Sequence, residues 1–586
     1  MEQHLSGNPH GGDRIAETLV ARGVPRLYTL CGGHISPILT AAKARGIRVV
    51  DVRDEASALF AADAEGRLTG IPGVAAVTAG PGLTNAITAV ENARLAQSPL
   101  VLLCGGVPTA LRGRGALQDI DQRAAILPHV KRAMQVRRVA DLQPALEAAF
   151  AAASGGVPGP VFLEAPVDLL YDEATIRGWY AEASSKGSSL PERAQRWYLH
   201  RHVERLFAGS HRARQRQSEI ASPEAPRASQ ASLAAAIAAL RRAERPLAVV
   251  GSQALCVPAN AQRLVDAIDA LGIPLYLSGM ARGLLGREHR LQMRHKRREA
   301  LREADCVLLA GVPCDFRLGY GGDIRRRSGV IAANRSRADA TLNRKPTVAA
   351  IGDAGSFLEE LAAAGGWGEG RHADWIARLR ARDDEREREI LATAQARGEY
   401  VNVVSLLRSI DRIAGERALF VADGGDFVAT ASYVVHPRAP LSWLDPGVFG
   451  TLGVGAGFSL ASALARPENE IWAIFGDGAV GYALAEFDTF VRHRIGLVAV
   501  VGNDACWSQI AREQVKMLGD DVGTVLARTA YHEVAAGFGA LGILVRDESE
   551  IEPALLRARE AARNGIPVLV NVWLERSAFR EGSISM

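Results

Sequence analysis

A repeated alternation of short apolar runs with helical patterns constrains this chain more than any other feature. Residues 13–170 carry LYTLCGG, IRVVDVRDE, GVAAVTAG and PLVLLCGG, with helical stretches such as ASALFAADAEGRLTG between them. Strands separated by helices are joined by crossovers, so they lie parallel in a sheet covered on both faces. The unit closes at GGVPGPVFLEAPVDLL, a last strand bounded by Pro and Gly. A second alternating unit holds RPLAVVGSQAL, IPLYLSGM, ADCVLLAGVPCDF and GVIAANRS, and a third follows residue 400. The expected fold is therefore α/β, with three doubly wound parallel-sheet domains at 11–172, 231–362 and 401–575. No simple sequence repeat relates them.

Between the first two units, residues 173–230 break the pattern. This insertion is polar, basic and proline-dotted, and holds an amphipathic segment with Trp197, Tyr198, Leu199, Val203, Leu206 and Phe207 on one side. Two readings stay open for it: a lid or a basic surface for an acidic ligand or lipid headgroup, or a helix packed on a neighbouring domain. Residues 363–400 read as a charged helical connection and 576–586 as a tail.

The 586 residues are 48% hydrophobic and 23% charged, as in a soluble globular protein. A net charge of +4 gives no argument for nucleic acid, and runs such as ARDDEREREI read as solvated helix faces. The six cysteines form no CxxC pair, so reduced thiols and a cytoplasmic location are expected. No stretch reaches the ~18 apolar residues of a membrane span, and the N-terminus has no apolar run suited to a signal peptide.

Chemistry concentrates at strand ends. In IWAIFGDGAVGYALAEFDTF a strand meets Gly476-Asp477-Gly478 and then a helical pattern with Leu484, Phe487 and Phe490 on one face. The glycines allow a sharp turn and the helix offers its N-terminus to an anion. The next strand, GLVAVVGNDACW, delivers Asn503 and Asp504 to the same sheet edge. Asp477, Asp504 and a carbonyl near Cys506 suit Mg²⁺, which takes one or two carboxylates plus phosphate oxygens. An ordinary strand-to-helix turn is the alternative. Glu55, after a buried strand, is either a helix-opening carboxylate or a proton carrier. His34, in Cys31-Gly32-Gly33-His34, is either a helix cap or catalytic. VVGSQAL lacks the full G-x-G-x-x-G of a dinucleotide site.

GDG, a strand-helix-strand gap of 27 positions and then Asn503-Asp504 together resemble the metal and diphosphate motif of thiamine-diphosphate (ThDP) enzymes. The resemblance implies Asp477, Asp504 and the Cys506 carbonyl as Mg²⁺ ligands, with Gly476, Gly478 and Ala479 beside the diphosphate. Most members have Asn where this chain has Asp504. Arg53-Asp54-Glu55 resembles the family's pattern around a glutamate that hydrogen-bonds the aminopyrimidine ring. TAGPGLTNAITAV resembles the G-P-G-x-x-N segment, which places Pro81 and Asn85 at the coenzyme. The resemblance places Gly33 at the coenzyme, and His34 matches a position where benzaldehyde lyase also has a histidine, on the catalytic side. Gln118 matches a glutamine bordering the substrate. FGTLGVGAGF resembles G-T-M-G-x-G, with Gly450 at the pyrimidine amino group and Leu452 in place of the Met that bends the coenzyme. Asp423-Gly424-Gly425-Asp426 matches the turn that closes over the diphosphate, with Gly425 and Asp426 nearest it.

The resemblance covers nearly the whole chain in the order pyrimidine-binding, central and diphosphate-binding domain. The narrower resemblance is to the acetolactate synthase-like branch that holds the 2-hydroxyacyl-CoA lyases. It implies a ThDP- and Mg²⁺-dependent lyase that cleaves a 2-hydroxyacyl-CoA to an aldehyde and formyl-CoA. Acetolactate synthase, a benzaldehyde-lyase-like acyloin enzyme and a non-catalytic ThDP-binding protein are the alternatives. Family active sites lie between two chains, so a homodimer or homotetramer is expected. The central strand ends Ala333-Asn334-Arg335, without the acidic residue often used for a ribose. FAD is therefore not expected in the central domain, and ADP stays open.

Overall fold

The computed structural model describes residues 10–182, 189–210, 224–368 and 370–581. Parts of the expected insertion (183–188 and 211–223) and the last five residues of the tail lie outside this set. The chain divides into two compact units, Met1–Gly66 with Ile71–Glu224, and Arg67–Gly70 with Ala225–Met586.

The first unit holds one six-stranded sheet of β1 (Arg26–Thr29), β2 (Arg48–Asp51), β3 (Gly73–Val77), β4 (Leu100–Gly106), β5 (Arg132–Gln135) and β6 (Pro160–Pro166). Every pairing is parallel and the order is β2-β1-β3-β4-β6-β5. All seven residues of β4 and all seven of β6 are buried. Such strands are covered on both faces, which is why they read as continuous apolar runs without alternation. Val101, Leu103, Val161 and Leu163 pack with Ile15, Leu19, Leu142 and Phe150 from the flanking helices. Each side chain of this kind contributes roughly 1.5–3 kcal/mol on burial.

The amphipathic segment of the insertion is helical over Leu190–Phe207. Val203, Leu206 and Phe207 join the core of the first unit, whereas Trp197 and Leu190 stay 66% and 79% exposed. The packed-helix reading therefore holds for its C-terminal half. A polar latch fixes that half: His202 Nε2 lies 2.7 Å from Thr109 Oγ1, and Asp168 accepts from Thr109 Oγ1 and from Tyr180 Oη.

The second unit holds two more parallel sheets. One comprises β7 (Pro246–Val250), β8 (Leu275–Leu277), β9 (Gln292–Met293), β10 (Cys306–Ala310), β11 (Gly329–Asn334) and β12 (Val348–Ile351), in the order β12-β11-β10-β7-β8-β9. That is the doubly wound order of a mononucleotide-binding pair. The other comprises β13 (Ala418–Asp423), β14 (Trp443–Leu444), β15 (Glu470–Gly476), β16 (Leu497–Asn503), β17 (Leu541–Val545) and β18 (Pro567–Trp573), in the order β14-β13-β15-β16-β18-β17. Counted from its own first strand, this last sheet repeats the order of β1–β6. Helix Ala373–Thr393, within the expected connection, buries Trp375, Leu379, Asp383 and Ile390. All six cysteines are free thiols. Among the described residues no helix is long and apolar enough to cross a membrane.

Candidate active site

In open α/β sheets ligands bind beyond the carboxyl ends of the strands, where the strand order reverses. In the first unit that point lies between β1 and β3. The turn after β1 carries Gly33 and His34, and the turn after β3 carries Thr78, Gly80 and Pro81. His34 Nδ1 lies 3.1 Å from Thr78 Oγ1, and burial lowers the imidazole pKa. The following helix, Ser36–Ala44, has Ile35 at its N-cap and no side-chain cap bond. His34 is thus tied across to β3 and caps nothing, which removes the capping alternative. A Cβ on Gly32 would meet Thr78 Cβ at 2.4 Å, so only glycine lets the two turns close.

Glu55 opens helix Glu55–Thr69 just beyond β2 and is 7% exposed. Its Oε2 accepts from Asn85 Nδ2 at 3.1 Å. Asn85 lies in the first turns of helix Pro81–Ala96, where Pro81 takes the N-terminal position that needs no N–H donor. Gln118 adopts φ +67°, a strained conformation for a side-chain-bearing residue. Its backbone presses on Gly80, where a Cβ would come within 2.7 Å of the Gln118 carbonyl oxygen. Glu55, Asn85, Pro81, Gln118, Gly33 and His34 are thus all brought to one edge of this sheet.

In the last sheet the order reverses between β13 and β15. Gly424, at φ +146°, would place a Cβ 2.9 Å from Gly476 N, so these turns also close on glycine. Gly476 itself has an ordinary φ of −70°, and Gly478 also lacks a positive φ. The expectation that both glycines serve a sharp turn is therefore corrected. Gly478 is needed for space, because the Trp507 ring would lie 2.3 Å from a Cβ there. The expected single helix is corrected too. Asp477–Val480 forms one short turn, and a separate helix Glu486–His493 carries the buried Phe487 and Phe490. Gly481 and a turn at Tyr482 interrupt the pattern.

Asp477 is 4% exposed. Its Oδ1 accepts from Gly478 N at 2.8 Å and its Oδ2 from Cys506 N at 3.2 Å. Burial, then the charge of Asp504, pushes its pKa up to about 7. Burial likewise raises Asp504, whose Oδ2 accepts from Ser508 Oγ. A buried carboxylate beside a half-buried one is stabilised by a cation or by protons. With the Cys506 carbonyl, this oxygen donor set fits a hard divalent ion. Ala505, between Asp504 and Cys506, sits at φ +55° and so stores strain in the same loop. No group of three or more His, Cys, Asp or Glu able to hold a metal occurs among the described residues.

Gly425 is the N-cap of helix Asp426–Val434, and Asp426 pairs with Arg512 at 2.5 Å. Ala479 is buried. Gly450 turns with φ +67° and Leu452 is half-buried.

Three family models match in order: "Thiamine pyrophosphate enzyme, N-terminal TPP binding domain" at residues 9–125, the central domain at 233–361 and the C-terminal TPP binding domain at 423–572. The chain is similar along 98% of its length to 2-hydroxyacyl-CoA lyase 2 of Danio rerio (48% identity, 93% of that protein) and of Homo sapiens (48%, 92%). It is 33% identical over 97% of its length to the acetolactate synthase large subunit IlvG of Mycobacterium tuberculosis, covering 96% of that protein. This chain belongs to the thiamine pyrophosphate enzyme family.

Two side chains of this thiamine pyrophosphate enzyme went unassigned in the sequence. Asp423, at the end of β13, is fully buried and accepts from Gly453 N and Gly455 N at 3.1 and 2.8 Å. It fixes the loop bearing Gly450 and Leu452, and burial raises its pKa to about 7. Gln122 does the matching work in the first unit. Its Oε1 accepts from Gly80 N at 3.0 Å and its Nε2 donates to Gly105 O at 2.9 Å. The DGGD run was a visible signal for Asp423. Nothing in the sequence marked Gln122.

Proposed function

We propose that this enzyme is a ThDP- and Mg²⁺-dependent 2-hydroxyacyl-CoA lyase, releasing an aldehyde and formyl-CoA. The observation that carries the reading is end-to-end identity near one half to proteins bearing that name, against one third to acetolactate synthases. Bound ThDP supplies the electron sink for carbon–carbon cleavage. Asp477, Asp504 and the Cys506 carbonyl hold the metal, and Gly425, Asp426, Gly476, Gly478 and Ala479 take the diphosphate. Leu452 wedges the coenzyme and Gly450 lends it a carbonyl. Glu55, kept in place by Asn85, holds and moves the proton of the aminopyrimidine. His34 and Gln118 face the substrate side, where burial lowers the pKa of His34 and so favours its neutral form.

The proposed enzyme is a cytoplasmic homodimer or homotetramer. Incubating the pure protein with ThDP, Mg²⁺ and either a 2-hydroxyacyl-CoA or pyruvate tests the reaction. Formyl-CoA and aldehyde are expected from the thioester. Acetolactate from pyruvate with no formyl-CoA release would overturn the lyase reading.

A further inference from the structure

Between helices Ser508–Leu518 and Tyr531–Gly537 the chain forms neither helix nor strand, yet its last part lies along the loop Asn503–Trp507. Trp507 N donates to Thr524 O at 2.8 Å and Leu526 N to Ala505 O at 2.9 Å, and Cys506 faces Val525 in an antiparallel bridge. Beyond this bridge Arg528 reaches the strand ends that carry the loop. Its Nη1 donates to Asn503 O at 2.7 Å, at the end of β16, and its Nη2 to Leu574 O at 3.1 Å, just past β18. Asn503 O also accepts from Leu574 N at 2.9 Å. Both lone pairs of that carbonyl are then used, which fixes the direction of the peptide that leads into Asp504.

The guanidinium is itself held. It lies 3.9 Å from the centre of the Tyr400 ring and 5.5 Å from that of Trp573. A cation is favoured over aromatic faces, and the planar fork of arginine suits two acceptors at once. Around it, Asn503 Nδ2 donates to Thr529 O and to Asn571 Oδ1, both at 3.3 Å, and Asn571 Nδ2 donates to Thr529 O at 2.9 Å. Both asparagines are fully buried.

The loop needs such a splint. Ala505 sits at φ +55°, a conformation that a residue with a side chain keeps only where its surroundings over-determine it. Every backbone bond that does so here is on one side or the other of Ala505. Its own N donates to Asn503 Oδ1 at 3.3 Å and its O accepts from Leu526 N, while Cys506 N is spent on Asp477 Oδ2 and Trp507 N on Thr524 O. Arg546 offers the contrast. It lies over the Trp573 ring at 4.4 Å, but among the described residues it donates to neither Asn503 O nor Leu574 O.

We propose that Arg528 is a positioning residue of the metal site. By fixing the Asn503–Asp504 peptide, and with the segment 524–529 bracing the rest of the loop, it presents the Asp504 carboxylate and the Cys506 carbonyl together to Mg²⁺. The role rests on the Mg²⁺ reading of that loop under the proposed function. Groups that orient metal ligands from behind act on metal affinity in this way.

The test is equilibrium dialysis of ThDP against the pure protein across a range of Mg²⁺ concentrations, on wild type, Arg528→Met, Arg528→Lys and Arg546→Met. Melting temperatures without coenzyme or ion check the folding of each variant. Arg528→Met should need about 10–100-fold more Mg²⁺ for half-maximal ThDP uptake, with the number of sites unchanged. Arg528→Lys keeps the cation but not the planar fork, so it should partly restore the affinity and still need about threefold more Mg²⁺ than wild type. It decides the matter if Arg528→Met does not fold. Arg546→Met should match wild type. A purely structural role would lower the melting temperature or the number of sites and leave the Mg²⁺ requirement of the folded protein alone. An unchanged Mg²⁺ requirement in the folded Arg528 variants, or an equal loss in Arg546→Met, therefore overturns the role. Wild-type uptake of ThDP that ignores Mg²⁺ removes the metal reading itself, and the role with it.

Discussion

The sheets β1–β6 and β13–β18 share one strand order, yet their carboxyl edges carry opposite equipment. At the first reversal point, His34 and Thr78 meet across β1 and β3, and Glu55 waits beside β2 with Asn85. At the second, Gly424 meets Gly476 across β13 and β15, and Asp477 and Asp504 crowd the next strand ends. Both points close on a glycine because strand ends packed this tightly leave no room for a Cβ. Under the proposed function, one scaffold serves two tasks. The first edge carries groups suited to moving a proton, and the second concentrates negative charge that suits a cation and, through it, a diphosphate. The difference lies in the turn residues and not in the topology.

The sharpest way to break this division is at Glu55. Glu55→Gln should lower kcat/KM by about 10²–10⁴, the usual worth of a positioned proton carrier, with coenzyme affinity unchanged. Turnover near wild type would remove the proton role from the first edge.

The glycine closures give a matched pair. Gly32→Ala and Gly424→Ala should each destabilise the fold by about 1–3 kcal/mol through overpacking. Gly424→Ala should cost more, since φ +146° is also strained for alanine. Denaturant midpoints measure both, and tolerance of either substitution would show that its reversal point is not tightly closed.

The amino ends of the two sheets provide the smallest effect. Arg26 pairs with Glu65 in the first sheet, and Glu470 with Arg559 and Arg563 in the last. These arginines, with the Gly415 N–H, hold Glu470 at a pKa of about 2 against the cost of burial. A depressed carboxyl contributes stability above its unfolded pKa of about 4.3 and loses it as pH falls toward the folded value. The urea midpoint of Glu470→Gln should therefore lie below wild type at pH 7, with the gap closing between about pH 4 and 2. A gap independent of pH would assign the effect to packing instead.

The strand-helix alternation was legible because fully buried parallel strands leave unbroken apolar runs. The GDG and NDAC turns were legible because glycine and carboxylates at strand ends are chemically conspicuous. The shared order of the first and last sheets was not, since pairing between distant strands leaves no local period. The break after Val480 was hidden because the apolar spacing of Leu484, Phe487 and Phe490 continues across it. Asp423 and Gln122 act by bonding backbone N–H and C=O groups of other loops, a role no spacing encodes. His34 looked able to cap a helix, yet its partner lies 44 residues away on Thr78.

The division of labour is tested most directly by titrating ThDP into wild type, Glu55→Gln and Asp477→Asn, each with and without Mg²⁺. Saturable uptake that requires the ion in wild type and Glu55→Gln, and is lost in Asp477→Asn, is the predicted result. Unimpaired uptake by Asp477→Asn, or uptake indifferent to the ion, would contradict it.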